Sequence, residues 1–184
     1  MCRCSKSVVN QLTSRVNALR RMGINATFKT RLMAANGAFM SILTYLIPLW
    51  GGAEGYLVGA LQILQNRAAR CVTKLGWYTS SRQLLKQCNW LSIKQLVFYQ
   101  TVLEVHRVVK SGSPLYLSDR LVTDHLYNTR QAAGGCVRWL GENSGELSML
   151  QGSFLGRASK MYNEIPVKIR NRASLPTFKK ELKT

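Results

Sequence analysis

Chemistry in this chain of 184 residues would have to come from very few groups. It has two histidines, His106 and His125, and 8 acidic residues, of which only Asp119 and Asp124 are aspartates. Two-metal phosphoryl transfer needs clustered carboxylates, as in an aromatic-x-Asp-Asp turn. Neither aspartate has an adjacent carboxylate. Nucleophilic catalysis needs a hydroxyl or thiol beside a base, and there is no Gly-x-Ser-x-Gly elbow and no suggested Cys–His pairing. A phosphate-cradling Gly-x4-Gly-Lys-Ser/Thr loop is missing as well. The five cysteines, at 2, 4, 71, 88 and 136, do not form the two paired turns of a structural zinc site. They also lack disulfide-framework spacing, which points to a reduced nuclear or cytoplasmic setting. Cys71, Cys88 and Cys136 read as small apolar packers. The expectation is no catalytic residue, no metal, no cofactor and no enzyme activity for the chain as it stands.

Positive charge is what the sequence has in excess. Lys and Arg total 26 and the formal net charge is +18, with no acid before Glu54. Such a field draws polyanions, nucleic acid first and an anionic membrane surface second. The cations form three groups along the chain. Arg15, Arg20, Arg21, Lys29 and Arg31 make the first, and Arg67, Arg70 and Lys74 the second. Arg157, Lys160, Lys168, Arg170, Arg172, Lys179, Lys180 and Lys183 make the third, and Arg130 stands apart. Contacts of this kind hold a phosphate backbone without reading sequence. Trp77, Tyr78, Trp90, Tyr127 and Trp139 have rings that could stack on bases, although rings in so apolar a chain more often belong to its core.

The elements that would carry these groups are mostly helical. Val8, Leu12, Val16 and Leu19 recur at helical spacing over 7–22, with Gly23 as the stop. Thr27 caps a second helix to about Leu46, ended by Pro48 and Gly51-Gly52, with Trp50 as a lid on the core. A third helix runs from Glu54 to about Leu75, its apolar stripe being Leu57, Leu61, Leu64, Ala68, Cys71, Val72 and Leu75. Arg67, Arg70 and Lys74 lie on its flank. Ser80 or Ser81 caps a short helix to Cys88. Ser92 and Gln95 form a capping box for the helix 93–110, which is apolar nearly all round and therefore central. Its His106 reads as a packed residue. Ser111-Gly112-Ser113-Pro114 ends it and marks a boundary near 111–117. The strands expected beyond it are 136–140 and 147–150, paired around 141–145. Helix returns over 154–162 and after Ser174, where Pro176 is tolerated in the first turn.

Six ordered motifs carry a resemblance. They are Leu19-Arg20-Arg21, then Tyr45 to Gly51, then Leu61-Gln62-Ile63-Leu64-Gln65-Asn66-Arg67-Ala68-Ala69-Arg70. Ser113-Pro114-x-Tyr116-Leu117, Tyr127-Asn128-Thr129-Arg130 and Tyr162-Asn163-Glu164-Ile165-Pro166 follow. In this order and spacing the chain resembles the C-terminal thumb and post-thumb region of reverse transcriptases from LINE-type, jockey-like non-LTR retrotransposons. The family's usual Trp-Asn-x-x-Pro is Tyr-Asn-x-x-Pro here, and the Cys/His knuckle of some members has no counterpart.

The resemblance implies a mainly α fold, with a helical thumb-like bundle at 5–111 and a basic mixed region at 112–184. It implies a part of an RNA-directed DNA polymerase that grips an RNA or DNA duplex by its backbone, beside fingers and palm that are missing here. It carries over no catalytic residue. Two other readings exist. A non-functional retroelement remnant would keep the motifs without the grip. A membrane-anchored basic protein would use the uncharged stretch 32–53, whose Asn36, Gly37, Ser41, Thr44 and Pro48 instead favour a buried core helix.

Overall fold

The computed structural model describes residues 3–22, 26–45, 47, 55–122, 136–139, 154–172 and 174–182. Gly23, the segment from Pro48 to Glu54 with Trp50, Arg130, Lys183 and the expected strand 147–150 lie outside the described residues. The fold is mainly α-helical. Two compact units divide it, residues 1–97 and 98–184. The division falls inside one helix.

In the first unit, α1 (Arg3–Arg21) turns Leu12, Val16 and Leu19 into the core. Thr27 opens α2 (Phe28–Ala35), its hydroxyl accepting the Thr30 N–H, so one orphan donor of the first turn is satisfied. The helix expected to run on to Leu46 is interrupted by a π-helical turn, Asn36–Met40, before α3 (Ser41–Tyr45). The buried positions explain the interruption. Ala35, Phe39, Leu43 and Ile47 are fully buried and each lies four residues after the last. An ideal α-helix would rotate that stripe by about 40° per step. A wider π turn takes up one residue and keeps the stripe on the core. The four residues thus sit in the core of the first unit, and among the described residues no helix is long and apolar enough to cross a membrane.

The helix α4 (Gly55–Thr73) packs against α1 and α2, burying Leu57, Leu61, Leu64, Ala68 and Val72. Each Leu or Val burial contributes about 1.5–3 kcal/mol. Cys71 is only half-buried and Leu75 is exposed, so the expected stripe narrows at its end. Ser80 caps α5 (Ser81–Cys88), and Asn89 ends it in the left-handed conformation at φ 54°. Trp90 packs over this core. Its indole N–H donates to Asn36 Oδ1 at 2.9 Å, and its ring stacks on Phe39 at 6.5 Å.

The polar side of the Leu61–Arg70 motif holds this unit together. Gln65 is fully buried and donates to the Leu91 carbonyl at 2.9 Å. Gln62 Oε1 accepts the Ile93 N–H at 2.9 Å, while its amide donates to Gln65 and Asn66. Gln62 therefore satisfies the first N–H of α6 (Ile93–Ser111) from another helix. The expected Ser92–Gln95 box is present, with Gln95 Oε1 accepting the Ser92 N–H at 3.0 Å.

One helix serves both cores. Ile93, Leu96 and Val97 of α6 belong to the first, and Val102, Leu103, Val105 and Val108 to the second. That is why α6 is apolar nearly all round. Gly112, at φ +65°, stops it with its N–H on the Val108 carbonyl.

The second unit continues with α7 (Leu115–Ser118) and β1 (Leu121–Val122). β1 pairs antiparallel with β2 (Arg138–Trp139), Leu121 opposite Trp139. Arg138 and Trp139 thus pair with an upstream strand, while 147–150, their expected partner, lies outside the described residues. Beyond lie α8 (Phe154–Asn163), α9 (Val167–Arg170) and α10 (Leu175–Glu181). Around the buried Phe178 the packing is aromatic. His106 is fully buried and stacks on Phe178 at 3.8 Å with rings 4° apart, and its Nδ1 lies 3.1 Å from the Tyr162 hydroxyl.

Candidate nucleic-acid interface

Arg20 and Arg31 of the first basic group, separate in sequence from the second, meet it at the C-terminal end of α4. Arg31 Nε donates to the Val72 carbonyl at 2.8 Å, and its Nη1 donates to the Ala26 carbonyl. Arg20, exposed at the end of α1, lies close enough to Cys71 for its charge to draw the thiol pKa down. Burial of that thiol has the larger effect and raises it. Arg70 Nη2 reaches the Trp77 carbonyl at 3.5 Å. Lys74 follows the helix in the left-handed conformation, at φ 56°. The helix gives a local reason for the gathering: its last carbonyls are the negative end of the macrodipole and favour cations.

Helical phase sorts these cations further. At 100° per residue, Arg67 and Arg70 lie about 60° apart on α4, away from the buried stripe and next to Cys71. Arg20 therefore borders the same flank. On α1, Arg15 and Arg20 fall on opposite flanks of the Leu12–Val16–Leu19 stripe and Arg21 faces away from it, so the expected first group is not one patch. Arg15, Arg21 and Lys29 are exposed and face solvent singly. Arg31 is half-buried and committed to backbone carbonyls, so it shapes the cluster more than it extends it.

Carboxylates are missing from this region. Of the 8 acids, Glu54 alone precedes Glu104, and it is outside the described residues. The described residues of the first unit hold no acidic side chain. Both ion pairs among the described residues, Arg107–Glu104 at 2.9 Å and Arg172–Glu181 at 3.0 Å, lie in the second unit.

The third basic group is corrected in part. Arg170 is buried, its Nη1 3.4 Å from Cys136 Sγ and 3.5 Å from Asn163 Oδ1. It braces the core beneath Pro166 and does not leave it, so it is not placed to meet a surface phosphate. Arg157 is half-buried, and burial lowers its pKa. Arg172 is exposed but pairs with Glu181. Lys160, Lys168 and Lys180 are exposed, and Lys179 is half-buried.

The aromatic residues also divide. Trp90 belongs to the core, whereas Trp77 and Tyr78 are 86% and 81% exposed in the loop after Lys74. Tyr127 lies outside the described residues. What no sequence signal revealed is the cleft beside that loop, about 610 Å³, lined by Leu75, Tyr78, Thr79, Gln83, Lys86 and Gln87. Cys71, Cys88 and Cys136 are free thiols, and burial pushes Cys88 up to about 11. Among the described residues no group of three His, Cys, Asp or Glu is arranged to hold a metal ion. No family model, no curated protein and no solved structure matches the chain.

Proposed function

We propose that this chain is the non-catalytic, nucleic-acid-gripping C-terminal part of a LINE-type retrotransposon reverse transcriptase. It binds an RNA–DNA or DNA duplex by the phosphate backbone, without sequence specificity, in a nuclear or cytoplasmic setting. Its other partners are the fingers and palm of that polymerase. The observation that carries the reading is the group Arg20, Arg67, Arg70 and Lys74 at one end of α4, in a unit whose described residues hold no carboxylate. Cations gathered at one surface attract a polyanion, and the counterions condensed on that polyanion are released as it binds. The ordered motifs support the polymerase assignment, since the Leu61–Arg70 motif both fixes α4 and presents two of these cations.

A duplex-binding titration at several salt concentrations tests it. Four to six phosphate contacts give a log-log slope of about −4 to −5 on B-form DNA. Affinity that does not depend on duplex sequence is expected as well. A slope near zero, or no binding at low salt, overturns the reading.

A further inference from the structure

We infer that the cleft beside the Trp77–Tyr78 corner takes an unpaired nucleobase from a strand running on past the gripped duplex. The inference rests on the proposed duplex grip and extends it to the single-stranded continuation. Trp77 and Tyr78 are the two most exposed large apolar side chains among the described residues. Water is a poor surrounding for both rings.

The corner is nevertheless built. Lys74 starts it in the left-handed conformation, and the Ser80 hydroxyl, accepting the Gln83 N–H, ends it. Arg70 reaches the Trp77 carbonyl, and the Thr79 N–H donates to the Gly76 carbonyl at 3.1 Å. The Tyr78 ring lies directly over Gly76, where a Cβ would come within 2.5 Å of Cε1. Trp77 and Tyr78 meet edge to face, with centroids 6.4 Å apart and planes at 81°. Tyr78 therefore turns one face toward the cleft with Trp77 braced against its ring.

The cleft has the chemistry of a base site. Leu75 and Tyr78 supply an apolar wall on which any base can stack. Gln83 and Gln87, one turn apart on α5, are both exposed and offer amide donors and acceptors to a base edge. Lys86 adds a cation for the phosphate that accompanies the base. The 610 Å³ volume falls within the usual range for a small-ligand site and leaves room for a nucleotide. Next to it stand Arg70 and Lys74, the end of the cation group proposed to hold the duplex. A peptide partner would be expected to bring acids for those cations and would not need a flat ring face. The observations therefore favour a nucleobase.

The full chain is tested against three probes of one duplex: blunt, with a four-nucleotide extension, and with the same extension lacking bases. The wild type should bind the extended duplex about tenfold more tightly than the blunt one, the effect of stacking about one base. The abasic extension should give no such gain. Y78A should bind all three alike, with unchanged blunt-duplex affinity, and Y78F should keep the preference. Tyr78 is exposed, so helical circular dichroism of both variants should match the wild type. Equal wild-type affinity for the blunt and extended duplexes overturns the inference, as does a preference that survives in Y78A or with the abasic extension. Those results leave the duplex grip standing. Absence of binding to every probe at low salt instead removes the grip itself and the inference with it.

Discussion

Asn163 holds the backbone of Val137 from both sides, its Oδ1 accepting the Val137 N–H at 2.9 Å and its Nδ2 donating to the Val137 carbonyl at 2.8 Å. The two residues are 26 apart in sequence, and the contact fastens the segment carrying β2 to the end of α8. Tyr162, next in line, bonds His106, and Pro166 is the N-cap of α9. The Tyr162–Pro166 motif is thus an internal clamp and makes no outward contact of its own. Asn163→Ala leaves a backbone donor and acceptor unpaired at a buried residue. It should lower stability by about 1–3 kcal/mol in urea unfolding. A loss under about 0.5 kcal/mol would show that the clamp contributes little.

Gln65 gives a matching prediction for the first unit. Its amide is the partner of the Leu91 carbonyl and of Gln62, and the residue is fully buried. Gln65→Ala should cost about 1–3 kcal/mol. Arg67→Ala, at an exposed position two residues on, should stay within about 0.5 kcal/mol of wild type and weaken duplex binding instead. Unfolding midpoints and binding constants measured on both variants separate the two roles.

Phe178 is the anchor of the last helix. It is fully buried against His106, so Phe178→Ala removes a whole ring from a packed aromatic cluster. A loss of about 3–5 kcal/mol is expected. Hydrogen exchange should show α8 and α10 losing protection while α1 and α4 keep theirs, because Phe178 belongs to the second core alone. Equal loss in α1 and α4 would contradict two separate cores.

Stability should also depend on pH through His106. Burial holds its pKa below the ordinary imidazole value, the charge of Lys110 adds to this, and a hydrogen bond with the Arg172 backbone opposes it. The unfolded chain takes up a proton near pH 6.5, and the folded chain does so only at lower pH. The contribution is therefore complete above about pH 6.5 and is lost as pH falls through that value toward the folded pKa. His106→Gln should flatten this part of the profile between about pH 8 and about pH 5. At the alkaline end, burial pushes Tyr162 up to about 12, with Arg170 opposing. Tyr162→Phe should lessen the decline that sets in above about pH 10, to which Tyr99 and Cys88, both also raised by burial, contribute as well.

Local signals were the legible ones. Thr27, Ser80 and the Ser92–Gln95 box mark helix starts because a cap needs only residues three apart. The helical character and the Gly112 stop were readable for the same reason. The π turn at Asn36–Met40 was not, because it answers to a core stripe that only tertiary packing defines. A helix facing two cores, as α6 does, reads in sequence as one central helix. Arg170 looked like one more surface cation, yet its partners Asn163 and Cys136 come from elsewhere in the chain. The closeness of Arg20 and Arg31 to the end of α4 depends likewise on how α1 and α2 pack on it.

The central claim is that the cations at the end of α4 meet phosphates, and salt dependence tests it most directly. Duplex affinity would be measured against salt for the full chain and for the triple variant R20Q/R67Q/K74Q, whose sites are all exposed. The wild type should show a log-log slope of about −4 to −5, and the variant a slope shallower by about one per lost contact, roughly three in all. A wild-type slope near zero, or a variant slope equal to the wild type, would contradict the account.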